Sequence, residues 1–88
     1  MNEFHRRLGG GVIANPIEVE GVFATMQGDH ARAAYLFGKA SRLSFRSGTT
    51  WPVSAVTHDL LRQVKQVLST QSFEAAWRAG DADALGIR

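Results

Sequence analysis

The sequence predicts an all-α protein of about four helices. Two rows of apolar residues at spacings of three and four meet at segment 27–30, a pattern typical of two amphipathic helices joined by a tight turn. A third row of this kind runs from Val53 to Leu68. Residues that cap helices stand where the rows begin, so capping and periodicity indicate the same elements.

The first predicted helix begins at Asn15 and Pro16. Asn15 can accept a backbone hydrogen bond as N-cap. Pro16 suits the first helical position because an N–H there would have no intrahelical acceptor, so proline loses no hydrogen bond by lacking one. Glu18 lies near the positive end of the helix dipole, where a carboxylate is favourable. We expect the apolar residues of this segment to form its buried face: Ile17, Val19, Val22, Phe23 and Met26.

The second predicted helix follows Gly28 and Asp29. Gly28 can take the left-handed conformation that ends a helix, and Asp29 can cap the next one. The helix is expected to end near residues 47–48, so residues 15–47 form a predicted hairpin. Gly38 lies in the middle of this helix, where we expect alanine to be tolerated. The apolar positions of its inner face are Ala33, Leu36, Phe37, Ala40 and Leu43.

The third predicted helix starts at Pro52, with Thr50 or Trp51 at the cap position, because the residue before a proline is disfavoured in a helix. Leu61 and Leu68 lie to one side of its main apolar row. This row has the spacing that one buried face requires. Its members are Val53, Val56, Leu60, Val64 and Val67.

A fourth, shorter helix is predicted over residues 71–79, with Ser69 or Thr70 as its cap. Gly80 is expected to end this helix, because glycine commonly follows a helix C-terminus. Residues 52–80 then form a second hairpin, and residues 81–88 form a short capped tail. The inner side of the fourth helix is expected to contain Phe73, Ala76 and Trp77.

Composition places these helices in one small domain. With 88 residues, the chain is near the lower size limit for a single core, so residues 15–88 are predicted to form one helical domain. Residues 1–14 are predicted to be a flexible or extended lead-in, because three consecutive glycines at 9–11 interrupt any helix. The chain has no cysteine, no apolar run of membrane-spanning length and no signal-peptide core. We therefore expect a cytoplasmic protein with neither disulfides nor a membrane partner.

The residues at 21, 28–29, 33, 37 and 40 resemble the small and aromatic signature positions of the tetratricopeptide repeat. Small residues at Gly21, Ala33 and Ala40 would let two helices approach closely, with Phe37 between them. Ile17 and Ala24 stand where the repeat usually has larger rings, and no proline closes the unit. The resemblance implies a fold of tetratricopeptide-like helical hairpins.

A second resemblance covers more of the chain. Segment 31–40 (ARAAYLFGKA), Pro52, a following amphipathic helix and segment 73–80 (FEAAWRAG) occur in that order. This order is similar to the C-terminal repeat region of large bacterial transcriptional regulators of the LuxR type, which carry a STAND nucleotide-binding module. The resemblance implies a role in transcription regulation through protein–protein contacts.

No constellation in the sequence indicates catalysis, so we expect neither an enzyme nor a cofactor. His5, His30 and His58 include no pair at the i, i+4 spacing of a helical zinc site, so no metal is expected. His58 and Asp59 are adjacent on a predicted helix and therefore point in different directions. We expect Trp51 and Trp77 to pack between helices rather than to line a ligand pocket.

Positive charge is concentrated in the middle of the chain. Between His30 and Lys65, six lysine and arginine residues stand against a single acidic residue, a balance of +5. Lys39, Arg42 and Arg46 share one side of the second predicted helix and are called the basic stripe below. Such a stripe can contact phosphates or an acidic partner, or can simply be a solvated helix face. No helix-turn-helix pattern accompanies it, so sequence-specific nucleic-acid binding is not expected.

Two functions follow from these observations. We favour a protein–protein interaction or regulatory module that binds a partner helix, or its own copy as a homodimer. Leu61, Leu68 and Trp77 are the candidate partner-binding residues, because they widen the apolar face of the third and fourth predicted helices. The alternative is a small basic helical domain that associates with nucleic acid non-specifically through the basic stripe.

Overall fold

The computed structural model describes residues 16–48, 51 and 55–86. Within these residues the chain forms four helices and no strand: α1 (Pro16–Met26), α2 (His30–Ser47), α3 (Ala55–Val67) and α4 (Thr70–Leu85). The prediction of an all-α protein is therefore confirmed. The predicted lead-in at residues 1–14 lies outside the described residues, as do Asn15, Thr50, Pro52 and Val53.

The turn between α1 and α2 has the geometry that the sequence predicts. Gly28 has a φ of 84°, a left-handed value that a side chain would strain. Its N–H donates to the Thr25 carbonyl oxygen at 3.0 Å, and the Asp29 N–H donates to the Ala24 carbonyl oxygen at 2.9 Å. The Asp29 side chain accepts from the Arg32 N–H at 3.3 Å and so caps α2. These bonds fold α1 and α2 back on each other.

Two further helix boundaries agree with the capping signals. α2 ends at Ser47, where Gly48 takes the left-handed conformation with a φ of 74°. α4 is capped by Ser69, one of the two predicted candidates, whose side-chain oxygen accepts from the Ser72 N–H at 3.1 Å. Each of these two caps acts on residues only a few positions away in the chain, which is why the local sequence predicts both helix boundaries.

The buried face of α1 differs from the predicted one. The helix turns Glu18, Gly21, Ala24 and Thr25 inward, while Phe23 and Met26 of the predicted face are exposed. The cause is the close approach of α2: a Cβ at Gly21 would lie 2.5 Å from the Phe37 ring. Only small side chains fit at this crossing, so the larger apolar residues of α1 are displaced to its outer side.

The backbones of α2 and α4 approach each other more closely than those of any other helix pair in the described region. A Cβ at Gly80 would lie 1.9 Å from the Tyr35 carbonyl oxygen, and one at Gly38 would lie 2.4 Å from the Trp77 carbonyl oxygen. Both glycines are thus required by close packing. The expectation that Gly38 tolerates alanine is wrong, because a methyl group there meets the backbone of another helix.

α4 is longer than predicted. It runs without interruption through Gly80 to Leu85, and Gly86 is its C-cap with a φ of 77°. The prediction that Gly80 ends the helix is therefore wrong, and residues 81–85 belong to α4 rather than to a separate tail. A glycine signals a helix end only where it adopts the left-handed conformation, and Gly80 instead serves the contact with α2.

The inner face of α3 is also rotated relative to the prediction. Thr57 and Val64 are buried, and Leu61 and Leu68 are half-buried against the core. α3 and α4 approach each other at few points, whereas α4 packs along α2. The predicted second hairpin over residues 52–80 is therefore corrected: its two helices are joined in sequence, but the main partner of α4 is α2.

Candidate functional site

The basic stripe lies along the contact between α2 and α4. Arg42 Nε and Asp81 Oδ1 are 2.7 Å apart, and Lys39 Nζ and Asp83 Oδ2 are 3.1 Å apart. Further along, Arg46 Nη1 donates to the Ala84 carbonyl oxygen at 3.0 Å. The three side chains share one side of α2 as predicted, but each bonds to α4.

The same side of α4 is a compact acidic segment. Asp83 accepts a hydrogen bond from the Tyr35 hydroxyl in addition to its ion pair with Lys39. The hydrogen bond to Asp81, and then the negative charge of that residue, raise the pKa of the Arg42 guanidinium above its usual range. The guanidinium therefore stays charged at physiological pH. These contacts explain the charge separation in the sequence, since the cations of α2 pair with the carboxylates of α4.

Four aromatic rings form a row through the protein. Trp51 lies between Phe37 and Trp77, with ring-centroid separations of 6.2 Å and 5.7 Å, and Phe73 lies 5.6 Å from Trp77. Trp51, Phe73 and Trp77 are partly buried against the core. Both tryptophans therefore pack between helices, as the sequence predicts. The Trp51 indole N–H is buried and makes no hydrogen bond to the described residues.

An open groove of about 220 Å³ lies beside the end of this row. We call it the α3–α4 groove, because Lys65 comes from α3 and the other lining residues come from α4. The Lys65 ammonium sits 5.5 Å from the centre of the Phe73 ring. The groove places Trp77 in a cavity wall, although Leu61 and Leu68 do not line it. The lining residues are Lys65, Phe73, Glu74, Trp77 and Arg78.

Leu61 and Leu68 are not the exposed apolar residues of α3. Both pack against the core, whereas Val56 and Val67 are 58% and 57% exposed. On α1, Phe23 and Met26 are 54% and 71% exposed. The exposed apolar residues of α3 are thus different from those predicted, because its inner face is rotated towards Thr57 and, of the predicted apolar row, only Val64 is buried.

The exposed residues of α1 and α3 border one contact between these helices. The Thr57 hydroxyl donates to the buried Glu18 carboxylate at 2.6 Å, which brings α1 and α3 together. Val22 and Met26 follow Glu18 at intervals of four residues, which places them along the same flank of α1. This flank therefore continues outward from the contact with α3.

The matching flank of α3 is apolar as well. Lys65 contacts Phe73 and so marks the flank of α3 that faces α4. With about 100° between successive residues, Val56, Leu60 and Val67 cluster on the opposite flank. We call the combined surface the α1–α3 apolar face. Its six members, of which Val22 and Leu60 are half-buried, are Val22, Phe23, Met26, Val56, Leu60 and Val67.

The described residues offer no metal site and no membrane-spanning helix. Residues 16–48, 51 and 55–86 contain no group of three or more His, Asp or Glu side chains arranged to hold a metal ion. No helix in this part of the chain is long and apolar enough to cross a membrane. His58 and Asp59 are both exposed on α3.

No protein-family model, curated protein or solved structure matches the chain. The resemblance to tetratricopeptide repeats and to bacterial regulators thus depends on the motif residues alone.

Proposed function

We propose that this chain is a cytoplasmic protein-interaction module that binds an apolar helical surface through the α1–α3 apolar face. The observation that carries the proposal is the exposure of Phe23, Met26, Val56 and Val67 beside a single helix–helix contact. Contiguous apolar surface of this kind is typical of protein interfaces, because its removal from water is favourable.

A second copy of the chain is the partner that we propose for the isolated protein. None of the six residues of the α1–α3 apolar face is charged, so two copies can meet there without burying an unpaired charge. In a twofold arrangement each copy presents the same surface to the other. This homodimer uses α1 and α3, and it replaces the dimer predicted from Leu61 and Leu68, which are turned towards the core.

The sequence resemblance supports a regulatory setting for this module. The two motifs similar to those of LuxR-type and STAND regulators, at residues 31–40 and 73–80, lie on α2 and α4, which pack tightly on each other. In this proposal α2 and α4 form the rigid part of the domain and α1 and α3 provide the binding surface. The domain then acts by assembly with another helix, without catalysis.

Non-specific nucleic-acid binding has less support. The basic stripe suggested this alternative, but Lys39, Arg42 and Arg46 bond to α4. Phosphate binding would therefore compete with two existing ion pairs and one hydrogen bond to a backbone carbonyl. Affinity for a DNA duplex that falls steeply with salt, together with a monomeric protein, would favour this alternative over the interaction module.

Sedimentation equilibrium of the full chain tests the proposed function. We expect the mass of a dimer at high micromolar concentration and a shift towards the monomer on dilution, because the interface is small and reversible. A chain that sediments as a monomer at every concentration would reject the homodimer. The α1–α3 apolar face would then need a helix from another protein as its partner.

A further inference from the structure

We infer that the α3–α4 groove is a docking site for an acidic peptide segment that carries one bulky apolar side chain. The groove lies on the flank of α3 that faces α4, opposite to the α1–α3 apolar face. The inference therefore goes beyond the proposed function and does not depend on it. Its basis is the combination of a small apolar cavity with cations at its edges.

The size of the groove indicates a side chain rather than a whole small molecule. Its volume is about 220 Å³, and the groove is open to solvent. Small-molecule sites usually enclose roughly 300–1,000 Å³ and bury most of their ligand. Its lining is mostly apolar and includes the aromatic side chains Phe73 and Trp77. One aromatic or branched aliphatic side chain fits such a cavity while the peptide backbone stays outside it.

The charges around the groove favour acidic residues on either side of this apolar anchor. Lys65 and Arg78 stand at its edges against one carboxylate, that of Glu74. Glu74 lies 3.9 Å from Arg78, and both side chains are well exposed, so their ion pair is weak. The ion pairs found among the described residues do not involve Lys65, whose ammonium contacts the Phe73 ring. Both cations are thus available to a carboxylate.

The positive charge continues along α3 beyond the groove. Arg62 precedes Lys65 by three residues, and both side chains are exposed. This spacing places the two cations on the same flank of α3, the one that faces α4. In an acidic segment anchored in the groove, the residues on one side of the anchor would contact the cations of α3. The residues on the other side would contact Arg78.

Single-stranded nucleic acid suits the groove less well than a peptide. Binding of bases requires free aromatic faces and a basic path that follows the backbone. Here the Phe73 face is covered by Lys65, and Trp77 packs on both Phe73 and Trp51. Glu74 also interrupts the basic path. An acidic peptide needs only the cavity and the flanking cations.

Fluorescence anisotropy with labelled synthetic peptides tests the inference on the full chain. The probe peptide has a central phenylalanine flanked on each side by two acidic residues. Two matched peptides replace the phenylalanine with alanine, or the acidic residues with their amides. We expect each replacement to weaken binding by about tenfold, the change that corresponds to ~1.4 kcal/mol.

A pair of charge-reversal variants separates a specific site from general attraction. Lys65→Glu removes a cation of the groove, whereas Arg32→Glu changes the net charge equally at an exposed position on α2. We expect Lys65→Glu to weaken binding of the acidic probe at least about tenfold and Arg32→Glu to leave it within about twofold. Circular dichroism checks that both variants remain folded.

Several results would overturn the inference. These are equal weakening by the two variants, undiminished binding of the alanine peptide, and no binding of the acidic probe. Tighter binding of an oligothymidine than of the acidic probe, with loss on Lys65→Glu, would instead assign the groove to nucleic acid.

Discussion

At the scale of single residues, two glycines determine how closely α2 and α4 pack. Gly80 has no room for a Cβ, because the Tyr35 carbonyl oxygen and the Lys39 backbone nitrogen lie at 1.9 Å and 2.9 Å from the position it would take. These neighbours are backbone atoms of another helix and cannot move as a side chain can. Substitution here must push the two helices apart, with loss of their surrounding contacts.

We predict that Gly80→Ala lowers the free energy of unfolding by about 3 kcal/mol, at the upper end of the cost of overpacking. Gly86→Ala is the control, since nothing lies within 4 Å of a Cβ there and only its φ of 77° is unfavourable. That control should cost about 1 kcal/mol. Urea denaturation measures both. A Gly80→Ala variant as stable as the wild type would contradict the close contact.

The alanines of α2 give a second prediction at this scale. Ala33 is fully buried in the core, and Ala31 is exposed. Ala33→Leu should reduce the free energy of unfolding by about 1–3 kcal/mol, because three additional carbon atoms must enter a filled space. Ala31→Leu should change it by less than about 0.5 kcal/mol. Thermal melts of the two variants decide the matter, and equal shifts would mean that the inner face of α2 is misplaced.

At the scale of elements, α3 is the helix whose backbone approaches the other described helices at the fewest points. Its approach to α1, α2 and α4 is loose in comparison with that of α2 to α4. It is held by side chains instead: Val64 enters the core, and Thr57 donates to the buried carboxylate of Glu18. A buried carboxylate is costly unless it is hydrogen-bonded, so this bond carries much of the attachment of α3 to α1.

We predict that Thr57→Val destabilises the protein by about 1–3 kcal/mol, because the valine keeps the shape of threonine but removes a hydrogen bond to a buried charged group. Thr57→Ser is the matched variant, since it keeps the hydroxyl and loses only a methyl group. It should cost less than Thr57→Val. If the two substitutions rank in the opposite order in chemical denaturation, packing of the methyl group and not the bond to Glu18 holds α3.

At the scale of the whole molecule, the proposed dimer distinguishes two pairs of residues, one pair on α3 and the other formed by Leu61 of α3 and Leu68 just after it. Val56→Glu combined with Val67→Glu should give a folded monomer, because both positions are exposed and a charge at the interface of a dimer is unfavourable. Leu61→Glu combined with Leu68→Glu should unfold the chain, because both leucines pack against the core.

Sedimentation and circular dichroism of both double variants test this prediction. The α1–α3 apolar face is supported if only the valine variant is helical and monomeric. A folded, monomeric leucine variant would return the interface to the residues predicted from sequence. It would also contradict the orientation of α3 in the core.

The sequence by itself determined the class of the fold, three helix starts or ends and the turn at Gly28. These features depend on hydrogen bonds between residues a few positions apart and on the helical period, both of which can be read from a short window. Asp29, Gly48 and Ser69 illustrate this, since each acts on its immediate neighbours.

The composition of the candidate surfaces depends on contacts between residues far apart in the chain, and a short window of sequence does not predict such contacts. The basic stripe was located correctly, but its partners Asp81 and Asp83 lie some 40 positions away, on a helix that was predicted to have ended. The one available signal was charge complementarity, since a cationic stretch and an acidic tail in one small chain are expected to meet.

Only the tertiary structure decided which side of α1 and of α3 faces inward. In α1 the apolar residues outnumber the small ones, yet Gly21 and Ala24 take the inner positions because Phe37 needs the space above them. In α3 the bond between Thr57 and Glu18 turns a polar position inward and leaves Val56 and Val67 in solvent. Periodicity shows that a helix has an apolar side, but the shape and hydrogen bonds of its neighbours select the side that is buried.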